Sequence, residues 1–141
     1  MKKILFVCTG NTCRSPMAEC ILRQKAKQAG LKIRVSSAGL AADPNCSVSP
    51  NAAAALKTLG YPVPRHKARQ LTPEMLTKFN LTLTMTAAHK SALGGGKNLM
   101  TLGEFTGLGD VPDPYGGDLA VYLATARMLE QACDVIVEMF G

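Results

Sequence analysis

Lys3-Ile4-Leu5-Phe6-Val7-Cys8 runs into Thr9-Gly10-Asn11-Thr12-Cys13-Arg14, and then into Ser15-Pro16-Met17-Ala18-Glu19. The first stretch is a short continuous apolar run, the pattern of a parallel strand buried on both faces. The last carries helix-start signals: serine as N-cap, proline at the first helical position and a capping-box glutamate. Ala18, Ile21, Leu22 and Ala26 follow at helical spacing and Gly30 stops the pattern, which predicts a helix over about residues 16 to 29. A buried strand, a glycine-bearing loop and an amphipathic helix in direct succession begin a βαβ unit.

Outward from this unit the alternation continues. Lys32 to Ser37 reads as a second strand before Ala38-Gly39, and Ser49-Pro50 opens an alanine-rich helix to Leu59, stopped by Gly60. Thr72-Pro73-Glu74 starts a short third helix and Leu81 to Met85 forms a third strand. A helix is expected from after Thr86 to near Gly94-Gly95-Gly96, then a fourth strand around Asn98 to Leu102. Between Asp118 and Phe140, the positions Leu119, Tyr122, Leu123, Ala126, Leu129, Val137 and Phe140 mark a long amphipathic helix. The expected fold is α/β, with three layers: a four-stranded parallel sheet, helices on both faces and right-handed crossovers. Ligands of such sheets bind beyond the carboxyl ends of the strands near the topological switch point, which singles out the loop after strand one.

The 141 residues are expected to form a single domain over 1–141. With 47% hydrophobic and 18% charged residues there is ample core material, which excludes low-complexity disorder. No apolar run reaches the length of a membrane span, and Met1-Lys2-Lys3 leads into too few apolar residues for a secretory signal. A net charge of +6 suits an acidic partner. The densest basic stretch, Arg65-His66-Lys67-Ala68-Arg69, has no interleaved aromatics, and the chain holds no Trp, three Tyr and four Phe. That stretch reads as a solvated loop, and neither nucleic acid nor membrane is expected as a partner. Five cysteines, Cys8, Cys13, Cys20, Cys46 and Cys133, without a Cys-x-x-Cys spacing, suit neither a disulfide framework nor a zinc site. A reducing, cytoplasmic setting is the expectation.

The loop Cys8 to Ser15 has the context of an anion site. Successive backbone N–H groups in a turn permitted by Gly10 and Asn11 form a nest, the following helix presents its positive dipole end, and Arg14 adds a guanidinium fork suited to a tetrahedral oxyanion. Phosphate is the expected ligand. A thiol at the first position of the nest feels the same field, which favours the nucleophilic thiolate. A lone cysteine ending a strand is most often a buried apolar residue. The spacing to Arg14 and Ser15, with a strand before and a helix after, reverses that reading.

Cys8-x5-Arg14-Ser15 resembles the Cys-x5-Arg-Ser/Thr signature of the low-molecular-weight protein tyrosine phosphatase family. Met17-Ala18-Glu19, Ser37-Ala38-Gly39, His66-x-Ala68-Arg69-Gln70 and Asp113-Pro114-Tyr115 fall in the family's order and spacing, so the resemblance spans essentially the whole chain. It implies a protein phosphatase that needs neither cofactor nor metal, with Cys8 as nucleophile, Arg14 and loop amides as the oxyanion clamp, and phosphorylated proteins as substrates. Phosphoryl transfer to a thiolate needs an acid for the leaving group and then a base for water. The resemblance assigns both tasks to Asp113, which base rates would read as an ordinary loop aspartate, and assigns none to Asp110. It also implies that Asn11 strains the loop while hydrogen-bonded toward Ser37, His66 and Glu19, that Ser15 donates to Cys8, and that Thr9, Gly10, Thr12 and Cys13 complete the phosphate loop. Cys13 matches the family's second loop cysteine, a redox partner for Cys8. Cys20, Cys46 and Cys133 carry no motif and read as structural.

Tyrosine-specific members place a bulky aliphatic residue before the second loop cysteine and a second aromatic after Asp-Pro-aromatic. Here these positions are Thr12, and Gly116-Gly117 behind Tyr115. The combination resembles the family's protein-arginine phosphatase branch, with Thr12 and Tyr115 as specificity residues, and phosphotyrosine is the alternative substrate. A flavodoxin-like FMN carrier fits poorly, because the chain is basic and lacks Trp. Thioredoxin-coupled arsenate reductases need two further closely spaced cysteines, and a non-catalytic phosphate-binding module would not need Cys8 together with Asp113.

Overall fold

Ile4, Leu5, Phe6 and Val7 are fully buried, as a strand covered on both faces requires. They belong to β1 (Lys2–Cys8), the inner strand around which the sheet is built. In the computed structural model, which describes residues 2–63 and 65–141, β1 pairs in parallel with β2 (Ile33–Gly39) and β3 (Leu81–Thr84), and β4 (Leu99–Thr101) pairs with β3. The order is β2-β1-β3-β4. The helices are α1 (Arg14–Gln28), α2 (Pro50–Thr58), α3 (Pro73–Lys78), α4 (Ala87–Ala92), α5 (Leu102–Thr106) and α6 (Leu119–Phe140).

Alternation within β1 divides the core. Ile4 and Phe6 join Met17 and Ile21 of α1, Leu56 of α2, Leu102 of α5 and Leu129 of α6. Leu5 and Val7 point the other way, with Ala38, Leu71, and Met75 of α3. With its two neighbours on opposite sides, the carboxyl end of β1 is the switch point of the sheet, and the chain turns there from Cys8 into α1.

The loop fits against β2 because residue 39 has no side chain. A Cβ on Gly39 would lie 2.6 Å from the Thr9 carbonyl oxygen and 3.0 Å from the Asn11 nitrogen. Cys8 and Gly39 are paired across β1 and β2, so the loop leaves the sheet at this point of close approach.

Several local expectations are corrected. Helix α1 begins at Arg14, with Cys13 in the cap position and no side-chain cap, so Ser15 and Glu19 form no capping box. Both side chains are engaged elsewhere: Ser15 with Asn11 and Cys8, Glu19 with Ser37 and Arg23. Strand β2 runs on to Gly39 rather than stopping at Ser37, because Ala38 is drawn into the core beneath α3. Helix α5, absent from the sequence reading, is held by a capping box between Thr101 and Glu104. The proline-opened helix at Ser49 has its expected cap, with Ser49 accepting from the Ala52 N–H, whereas Thr72 makes no side-chain cap.

Candidate active site

Between Cys8 and Arg14 the backbone makes a turn that one residue pays for sterically: Asn11, with φ 58°, is the sole non-glycine at positive φ among the described residues. Asparagine tolerates this left-handed conformation better than most side chains. Its polar groups also fix it in place. The carboxamide Nδ2 donates to Ser15 Oγ at 2.8 Å and Ser37 Oγ at 2.9 Å, while Oδ1 accepts from the Arg69 backbone N–H at 2.9 Å. The Asn11 carbonyl accepts from His66 Nε2 at 2.8 Å, and Ser37 donates to Glu19 Oε1 at 2.6 Å. These bonds bring Asn11, Ser37, His66 and Glu19 together, and Glu19 reaches Asn11 through Ser37. The stretch read as a solvated loop supplies two of the supports, His66 and the Arg69 amide.

Hydrogen counting then gives the direction of the contact that matters most. Ser15 Oγ accepts from Asn11 and lies 2.8 Å from Cys8 Sγ. Its own hydrogen is left for the sulfur, which is the donor a thiolate requires. Cys8 is 3% exposed and Ser15 fully buried, so water does not compete for this bond.

Arg14 is held from the opposite side. Its Nη1 donates to the Val111 carbonyl at 3.0 Å, and Val111 N–H donates to Met85 O at the end of β3. The loop carrying Asp113 is thereby tied to the sheet. Asp113 Oδ2 stands 3.7 Å from Arg14 Nη2, Oδ1 accepts from the Tyr115 N–H, and the carboxyl is 54% exposed, open to a substrate. Pro114 to Gly117 close a tight turn through Gly117 N–H to Pro114 O, with Gly116 at φ 82°. A Cβ on Gly117 would lie 2.8 Å from Val121. The glycine pair is thus required by the turn that presents the 83% exposed Tyr115. Asp110 caps the start of α4 by accepting from the Ala87 N–H.

Cys8, Thr9, Thr12, Arg14, Asp113 and Tyr115 line one cavity of about 300 Å³, with Cys13 in its wall. Cys13 Sγ contacts Ser49 Oγ at 3.3 Å and the Tyr122 hydroxyl at 3.4 Å. Burial and then the Cys13 contact push the Tyr122 phenol above its ordinary range. Cys20 and Cys133 are buried, in keeping with a structural reading, and burial pushes the Cys20 thiol up to about 11. Cys46 is exposed, and its backbone carbonyl accepts from the Ala68 N–H at 2.9 Å.

One residue at this site escaped the sequence reading. His89 of α4, 6% exposed, places Nε2 2.9 Å from Thr9 Oγ1 and Nδ1 3.1 Å from Thr86 Oγ1. Burial, and next the positive charge of Arg14, lower its pKa below the usual histidine range. The available signal was Thr86-x-x-His89 immediately after a strand, at the same end of the sheet as the loop.

The sequence pattern described as "Low molecular weight phosphotyrosine protein phosphatase" matches residues 3–140. The chain belongs to this family. Among relatives of the low-molecular-weight phosphatases, it is 42% identical to the protein-arginine-phosphatase of Bacillus subtilis, over 91% of this chain and 89% of that one. It is 39% identical to the low-molecular-weight protein-tyrosine-phosphatase PtpB of Staphylococcus haemolyticus, over 90% and 91%. A solved structure of YwlE arginine phosphatase, a cysteine-to-serine mutant with a phosphorylated active-site serine, superposes with a TM-score of 0.91 at 38% identity, covering 97% and 94%. The chain is therefore a cysteine-dependent protein phosphatase of low-molecular-weight type, and its substrates are phosphorylated proteins. No helix among the described residues is long and apolar enough to cross a membrane.

Proposed function

We propose that this site hydrolyses phosphoarginine on proteins. The Cys8 thiolate attacks phosphorus and the P–N bond breaks, while Asp113 protonates the departing guanidine nitrogen. The Asp113 carboxylate then takes a proton from water, whose oxygen attacks the thiophosphoryl group; the S–P bond breaks, inorganic phosphate leaves and the thiolate is restored. Arg14 and the loop amides stabilise the equatorial oxygens, the largest contribution expected in such a site. The observation that carries phosphoryl transfer through Cys8, whichever the substrate, is the Ser15 hydroxyl, which accepts from Asn11 and lies 2.8 Å from Cys8 Sγ. The phosphorylated serine at the active site of the YwlE mutant supports a phosphoryl acceptor of this kind. The reading covers residues 1–141 as one domain acting in the cytoplasm.

Support for arginine comes from Thr12, whose side chain lines the cavity, and from the arginine phosphatase relatives. The glycine pair adds less, because the turn itself demands it. A hydroxyl beside the phosphate nest hydrogen-bonds a water or the P–N nitrogen and offers a phenyl ring less apolar contact. Leaving such a group unpaired costs about 1–3 kcal/mol, so this position alone is worth roughly a ten- to hundredfold preference. Thr12→Ile is expected to lower kcat/KM on phosphoarginine peptides and raise it on phosphotyrosine peptides, with Thr12→Ser close to wild type. The exposed ring of Tyr115 at the rim favours the phosphotyrosine alternative. A wild type that prefers phosphotyrosine, or a substitution that lowers both activities equally, would establish that alternative.

The shared cavity of Cys8 and Cys13 supports a redox role for the pair. Peroxide is expected to inactivate the enzyme through a Cys8–Cys13 disulfide, with activity returning on treatment with thiol. Mass spectrometry of the oxidised loop peptide checks this, and irreversibly oxidised Cys8 in its place would refute it.

A further inference from the structure

His89 stands between two hydroxyls, and the proton arrangement between them determines what Thr9 offers the cavity. Thr86 Oγ1 accepts the His89 backbone N–H at 3.3 Å as the cap of α4. The hydroxyl hydrogen of Thr86 then needs an acceptor, and His89 Nδ1 at 3.1 Å is the partner in place. With Nδ1 accepting, a neutral imidazole carries its hydrogen on Nε2, directed at Thr9 Oγ1 2.9 Å away. Thr9 Oγ1 becomes the acceptor of that bond, and its own hydrogen is released. Thr9 is exposed and lines the cavity above Cys8, so the released hydrogen has the cavity to point into.

The geometry points to His89 as a positioning residue that makes the Thr9 hydroxyl a donor to a phosphoryl oxygen of the bound substrate. The opposite tautomer would consume the Thr9 hydrogen and leave the Thr86 hydrogen unpaired. A charged imidazole would set two donors of residue 89 against the one Thr86 oxygen. It would also face Arg14 across the site, with only Asp113 and Asp110 of the neighbouring loop opposing that repulsion. Burial disfavours the charged form as well, so the relay is kept in its neutral state.

The donor acts on the phosphoryl group and not on the leaving group, so its loss weakens phosphoarginine and phosphotyrosine alike, unlike the split expected of Thr12. The inference rests on the reading that the Cys8 to Arg14 loop binds phosphoryl oxygens. Its test is the inhibition constant of inorganic phosphate together with kcat/KM on both phosphopeptides. His89→Ala is expected to weaken phosphate inhibition and lower both kcat/KM values by about tenfold, the usual cost of one hydrogen bond to a charged group. Thr9→Val should show the same loss, and the double variant no more than either single one. His89→Gln, whose amide N–H replaces Nε2–H, should keep most of the wild-type values. The α4 cap uses the backbone of residue 89 and survives all of these changes.

If His89→Ala stays within twofold of wild type, the relay is wrong. It is equally wrong if Thr9→Val leaves phosphate binding intact, or if the two losses add. Should His89→Ala not fold, Thr9→Val alone decides, because it leaves the imidazole in place. A wild type that neither turns over phosphopeptides nor binds phosphate would overturn the phosphatase reading itself, an outcome separate from all of these.

Discussion

Cys8→Ser is expected to lower turnover on the order of a millionfold, the scale of deleting a covalent nucleophile, while phosphate analogues still bind. A serine hydroxyl is not ionised at neutral pH, whereas Asn11, Arg14 and the loop backbone that shape the cavity are untouched. The Ser15 hydroxyl, 2.8 Å from the Cys8 sulfur, would meet a hydroxyl oxygen in its place. Steady-state kinetics and a phosphate-binding titration on the same preparation check both halves. Residual activity near wild type would remove Cys8 from the chemistry, and lost binding with lost activity would indicate a collapsed loop.

Asp113→Ala is expected to slow the chemical step by roughly 10²- to 10⁴-fold, the range of a positioned general acid. The size should depend on the leaving group. An acidic phenol departs without a proton and should lose least, while phosphotyrosine and phosphoarginine should lose most. Arg14 should keep its place, because its short contact is with the Val111 carbonyl and its distance to Asp113 is 3.7 Å. Equal losses across aryl phosphates of widely different leaving-group acidity would contradict the acid assignment.

What the sequence made legible was mostly local. β1, the loop and α1 could be read because apolar run, turn residues and helical period lie side by side, and the four strands followed from the same alternation. The start of α1 differs from the sequence pattern because Ser15 and Glu19 imitate a capping box. Their oxygens serve tertiary partners, Cys8 and Ser37, and a tertiary bond overrides a local preference. Helix α5 has five residues and begins immediately after β4, too short for a period to show. His89 stayed hidden because its partner Thr9 is 80 positions away. The supports at Ser37 and His66 were reached through the family resemblance, and nothing in their own neighbourhoods marks them. Gly39 came as part of a motif, and only the packing explains it: the loop backbone passes where a Cβ would sit.

The central claim is that phosphorus passes through the sulfur of Cys8. Asp113→Ala, supplied with an aryl phosphate whose phenol is strongly acidic, should form the thiophosphoryl enzyme readily and hydrolyse it slowly, since the base for water is gone. Rapid quenching followed by mass spectrometry of the loop peptide is predicted to find one phosphoryl group per chain, on Cys8. A phosphoryl group on any other residue, or turnover with no phosphoryl enzyme at any time after mixing, would contradict the account.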